Sequence, residues 1–193
     1  MTIDETARKR LEQALLKKLS PEEITGNLLG AGLFLVVYEL LKTEILENTR
    51  TFFTFGFDES GPKVADEYNT KVLSLDRSPF RASCLWLEAS GAISSADVEV
   101  AGRIREHRNA VAHELPRFIV DTTARIDLSL FAEAHRLLQA LGRFWGRIEV
   151  DTNPDFDGKD VLDEDIKSGS MLLMEHILSV TGLRDAQPTG SEN

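Results

Sequence analysis

Cysteine occurs once in this chain, at Cys84, so an intrachain disulfide is excluded and no thiolate cluster can hold a metal. Excess positive charge is also missing. The formal net charge is −10, which excludes a surface coated for binding nucleic acid over its whole area. No apolar run is long enough to span a bilayer. The longest, Leu28 to Leu41, is interrupted by Tyr38 and Glu39 and falls short of the roughly 20 residues that a hydrocarbon core of about 30 Å requires. Met1 to Arg10 is polar and charged and carries no apolar signal segment. No internal repeat is visible. These absences lead to the expectation of a cytoplasmic protein with no membrane partner.

What is present fits one globular domain. A chain of 193 residues, 42% hydrophobic and 28% charged, can bury a substantial core. Its punctuation is that of helices. Leu11, Leu15, Leu16 and Leu19 mark the apolar side of a first helix over residues 4–19. Ser20-Pro21-Glu22-Glu23 then offers a cap, a proline suited to the first turn and a capping-box acid. The helix it opens runs to about Asn48 and is expected to be the buried central one. Gly26 and Gly30 are spaced to let a neighbouring helix approach.

Residues 50–76 are the irregular part. Thr51 to Phe57 is aromatic and β-prone, Ser60-Gly61-Pro62 reads as a turn, and Tyr68 to Leu75 reads as a short helix. The phenylalanines are expected to plug the core rather than to stack on bases. Ser78-Pro79 repeats the cap-then-proline signal for a helix that Gly91 ends, and Ser94 or Ser95 caps the next helix, reaching Leu115. Asp127 opens another to about Ile148, and Ser168 or Ser170 starts the last, stopped by Gly182. The expectation is an all-α, single-domain helical bundle over residues 1–183 with a disordered tail at 184–193.

One helix gathers unusual side chains. At about 100° per residue, Val100, Ile104, Val111 and Leu115 form an apolar stripe. Asn109 and His113 lie together on the opposite face, Arg108 stands at the stripe's edge, and Pro116 blocks continuation. Between Ala101 and Phe118 four arginines face two glutamates, whereas Glu149 to Asn193 holds 11 acidic residues against 3 basic. So small a basic patch can grip a few phosphates but cannot hold a long duplex tightly. A histidine at a helix end can be explained by the helix dipole alone. The company of Arg108 and Asn109 points further, to a catalytic trio. Arg105 and Glu106 face outward beside it as candidate substrate-binding groups, whereas His107 falls on the apolar stripe and reads as a core or interface residue.

Arg108-Asn109, three further residues and His113 resemble the Arg-four-residues-His signature of the HEPN superfamily of all-helical ribonucleases and nucleotide-binding domains. Toxin members often add a tyrosine two residues after the histidine, where this chain has Leu115. The resemblance implies a metal-independent endoribonuclease that cleaves single-stranded RNA without a cofactor, at a cleft between two copies of the chain. It also implies a toxin–antitoxin or phage-defence setting, in which an antitoxin or other regulatory protein is the further partner. The residue types suit that chemistry. RNA carries its own nucleophile in the 2′-hydroxyl, histidine can move the proton, and a planar guanidinium can hold the phosphorane's developing charge.

A second constellation lies in the acidic segment. Asn153, Asp155, Asp157 and Glu164, with Gly158 at the sixth position, resemble a twelve-residue EF-hand calcium loop. Asn153 replaces the usual first aspartate and Asp160 stands where an apolar residue packs, so an acidic connector is the favoured reading. Two other function classes stay open: a non-catalytic HEPN-like module that binds a nucleotide, RNA or a protein, and a helical interaction protein whose acidic end meets a basic partner.

Overall fold

The computed structural model describes residues 5–59 and 61–181. It is the expected all-α domain. Helix α1 (Glu5–Lys18) is followed by Ser20, whose hydroxyl accepts the Glu23 N–H, and by Pro21 in the first turn of α2 (Pro21–Lys42). A π-helical turn, Thr43–Glu47, joins α2 to α3 (Asn48–Phe52) without a break. The resulting rod, Pro21–Phe52, corrects the expectation that no segment is long enough to span a bilayer, because by length and composition it is long and apolar enough to do so. Here its inner face is the centre of the bundle, with Phe34, Val37, Leu41 and Ile45 fully buried. The expectation of a buried central helix holds for that face alone, because Leu28, Leu29 and Val36 on the other faces are exposed.

The π turn has a visible cause. Asn48 N–H reaches back to Thr43 C=O, one residue beyond its α-helical acceptor. Glu44 C=O accepts the Trp145 indole N–H at 2.9 Å instead.

The irregular aromatic segment resolves into a hairpin. Strands β1 (Thr54–Asp58) and β2 (Gly61–Val64) pair antiparallel, and Gly61 takes a positive φ of 114° at the start of β2. The phenylalanines divide. Phe53 packs against Tyr68 and Trp86 as expected, whereas Phe55 and Phe57 stand 71% and 79% exposed on the hairpin. Helix α4 (Asp66–Lys71) and a 3-10 turn at Leu73–Leu75 lead to α5 (Pro79–Ala89), which Ser78 caps. Gly91, at φ 78°, turns the chain back.

Helix α6 (Ser95–His113) opens on a complete capping box between Ser94 and Asp97. It stops at His113, and Pro116 lies in the first turn of a new short helix, α7 (Leu115–Val120). Helix α8 (Ser129–Thr152) begins where Asp127 accepts from Ser129, and α9 (Gly169–Thr181) where Ser168 accepts the Met171 N–H. Gly182 and the 184–193 tail lie outside the described residues.

One core holds α2, α5, α6, α8 and α9 together, through Phe34, Leu41, Leu87, Ile104, Leu137 and Met174. Each such side chain contributes about 1.5–3 kcal/mol by leaving water. The closest approach is to α8, not to α2. A Cβ at Gly142 would meet Met171 Sδ at 2.6 Å, and one at Gly146 would collide with the Ile166 side chain. At Gly30 the nearest contact is an ordinary 3.8 Å from Ile126, and Gly26 has open space. The small-residue approach expected at those two glycines is therefore absent.

Candidate active site on helix α6

The capping box fixes where α6 begins, and the core fixes which way it faces. Asp97 receives the Ser94 N–H and also holds Arg136 of α8, so the first turn is tied both locally and to the bundle. Burial pushes the Asp97 carboxyl up, but hydrogen bonds from Arg136 and Ser94 outweigh it and hold the group below its ordinary range. Val100, Ala101, Ile104 and Val111 are buried, so the opposite face must look outward.

On that face Gly102, Glu106, Asn109 and His113 follow a 4-3-4 spacing, one stripe of the helix. Glu106, Asn109 and His113 are exposed. His113 closes the helix, and its ring has no hydrogen-bond partner among the described residues.

Arg108 lies to the side, against α2. Its guanidinium sits 5.0 Å from the Tyr38 ring centre and donates to Glu39 Oε1 at 3.1 Å. A longer contact of 3.4 Å reaches Asn109 Oδ1. Its Nε is buried and meets no acceptor among the described residues. Burial raises the Glu39 carboxyl, yet hydrogen bonds and charge from Lys42 and Arg108 bring it below its usual range. The structure thus brings Arg108 and Asn109 into contact and places His113 one turn further along.

Arg105 points the other way, toward α5. It donates to Ser78 Oγ at 2.9 Å and its guanidinium lies 5.5 Å from the Phe80 ring centre. Arg105, Glu106 and Asn109 line one wall of a cleft of about 330 Å³ between α5 and α6. His107 is half-buried against the core. Its ring makes edge contacts with Phe34 at 4.8 Å and Phe118 at 5.9 Å, and Nε2 accepts the Asp127 N–H at 3.0 Å.

Sequence reasoning missed Tyr38 and Glu39, which hold Arg108, and Ser78 and Arg81, which face Arg105 across the cleft. The first pair had a signal. Tyr38-Glu39 is the polar interruption of an otherwise apolar helix. The second had none, because Ser78 and Arg81 read as an ordinary helix cap and first-turn residue.

The calcium-loop residues are not gathered. Asn153 Oδ1 accepts from Asp155 N–H and its Nδ2 donates to Glu149, so it acts as a cap on a 3-10 turn, Pro154–Phe156. Among the described residues no group of three His, Cys, Asp or Glu side chains could hold a metal ion, at Asp155, Asp157 and Glu164 or elsewhere. Cys84 faces the cleft floor as a buried thiol pushed up to about 12 by burial, too high to act as a nucleophile near neutral pH.

No family model matches this chain, and neither a curated protein nor a solved structure does.

Proposed function

We propose that this protein is a metal-independent endoribonuclease of the HEPN kind, working as a homodimer on single-stranded RNA in the cytoplasm. The observation that carries the reading is the arrangement on α6. A guanidinium clamped by Tyr38 and Glu39 stands beside an exposed Asn109, with an exposed His113 one turn on. In the reaction the 2′-oxygen attacks phosphorus and the bond to the 5′-oxygen breaks. His113 takes the 2′-hydroxyl proton, and a second His113 across the dimer supplies the proton that the leaving 5′-oxygen needs. Arg108 and Asn109 hold the phosphorane's oxygens. The products are a 2′,3′-cyclic phosphate and a 5′-hydroxyl.

His113→Ala and Arg108→Ala should each reduce cleavage by roughly a hundredfold or more, the usual scale for acid–base and electrostatic groups. Cleavage should survive excess EDTA and fail on fully 2′-methylated RNA. Full activity in His113→Ala, or cutting of the methylated strand, overturns the assignment. One observation favours a second reading, a module that binds RNA without cutting it: Glu39 already neutralises Arg108. Under that reading wild type binds RNA and produces no cyclic phosphate.

A further inference from the structure

The α5–α6 cleft has a composition that the trio does not explain. Arg105 is half-buried in its wall, and among the described residues no carboxylate lies within ion-pair range of it. Its guanidinium is held instead by neutral groups, the Ser78 hydroxyl and the Phe80 ring. A partly desolvated cation with no counter-charge favours an anion from outside. Arg81, across the cleft, is paired with Glu99 at 3.1 Å and Asp76 at 3.7 Å. Those are exposed pairs of the kind worth only about 0–1 kcal/mol, which a phosphate can displace.

Gly102 supplies an independent observation. A glycine inside a helix costs about 1 kcal/mol relative to alanine. Nothing nearby requires one, since a Cβ there would meet no atom within 4 Å. Gly102 lines the cleft, so a larger side chain there would take up part of its space. At about 330 Å³ the cleft has the size of a small-ligand site and is too small for a duplex. Its walls offer both halves of a nucleotide a surface. The guanidinium groups suit phosphate, the largely buried Phe80 and Val98 give the cleft an apolar floor, and Glu106 and Asn109 can take hydrogen bonds from base or ribose.

We propose that this cleft binds one nucleotide unit of the RNA strand, with Arg105 on its phosphate and Gly102 kept small to admit base and sugar. Asn109 lines the cleft and also contacts Arg108, so the site adjoins the catalytic stripe. The choice of ligand rests on the ribonuclease reading; the site itself is read by binding, not by cleavage.

The test measures binding of a fluorescein-labelled RNA hexamer by anisotropy in a His113→Ala background, where the strand stays intact. Gly102→Leu and Arg105→Gln should each weaken binding tenfold or more. Arg103→Gln, the same charge change at an exposed position on α6, should alter it less than twofold. The melting temperature of Gly102→Leu should hold or rise, which separates a filled cleft from a damaged fold. Free mononucleotide and inorganic phosphate form the other arms. Cleft-dependent binding of mononucleotide alone retains the site and removes the strand. Cleft-dependent RNA binding by a chain that never cuts RNA retains the site and removes the ribonuclease. Equal losses in all three variants, unchanged binding in Gly102→Leu and Arg105→Gln, or no binding in any arm overturns it.

Discussion

His107 shows how much a single side chain is asked to do inside this fold. Its ring fills a gap between Phe34 and Phe118 and also accepts a backbone N–H from Asp127 through Nε2. An accepting Nε2 carries no proton, so the native ring is neutral. Burial lowers its proton affinity, and the Asp127 carboxylate opposes that only in part. The sign of the linkage follows. The folded value lies below the unfolded value of about 6.5, so the contribution is fully present above that pH and lost as pH falls through the folded value. Wild type should lose stability as the pH falls below the unfolded value of about 6.5, whereas His107→Gln, which can accept the same N–H without titrating, should show a shallower loss. Thermal melts at half-unit pH steps compare the two; parallel curves would show that His107 is not the group responsible. His107→Ala loses ring packing and the hydrogen bond together, for about 2–3 kcal/mol at pH 7. Its neighbour Arg108, one residue on, is held by Tyr38 and Glu39 and should be nearly silent in stability.

At the scale of elements, the glycines show what a helix-to-helix contact demands. Gly142 and Gly146 sit where the first turn of α9 and the segment before it lie directly on α8, with no room for a methyl group. Gly146→Ala should therefore cost about 1–3 kcal/mol through overpacking. Gly26→Ala, in open space on α2, should add up to about 1 kcal/mol by helix propensity alone. Chemical denaturation of the two variants reads opposite signs, and equal effects would contradict the packing. Both glycine pairs have the same four-residue spacing, and it was Gly26 and Gly30 that the sequence appeared to mark. The spacing states only that two small residues share a face; which face is covered depends on Met171, Ile166 and Ser168, distant in the chain. Helix starts were legible for the opposite reason, because Ser20, Ser78 and Ser94 act on N–H groups three residues away. The α6 trio was legible as a face. Its surroundings were not, since Arg105 meets Ser78 from 27 positions away and Arg108 meets Glu39 from 69. The hairpin was legible only as β-prone residues around a turn, because Phe53 and Phe55 differ in burial and not in kind.

For the molecule as a whole, α1 carries the largest uncovered run of leucines. An isolated helix of 14 residues is marginal in water, and this one leaves Leu11, Leu15 and Leu16 exposed, with Leu19 beside them. Its buried side chain is Lys18, whose Nζ donates to the Ala124 carbonyl at 3.0 Å and so fixes the C-terminal end. Leu28 and Leu29 at the start of α2 continue the exposed apolar surface. A second copy covering these leucines would bury apolar area that the single chain leaves in water, and would stabilise α1 by packing. A net charge of −10 opposes association everywhere else, which favours a contact that is apolar and local. If the catalytic cleft is shared between copies, assembly and activity must fall together. Light scattering at micromolar concentration should give twice 21.5 kDa for wild type and 21.5 kDa for Leu11→Glu/Leu15→Glu. That variant should keep the near-ultraviolet signal of the stacked Trp86 and Trp145, because neither lies on α1. Its RNA cleavage should drop as far as that of His113→Ala. Cleavage that persists in a folded monomer would place the whole active site within one chain, and the second histidine of the proposed mechanism would have to be replaced by another acid.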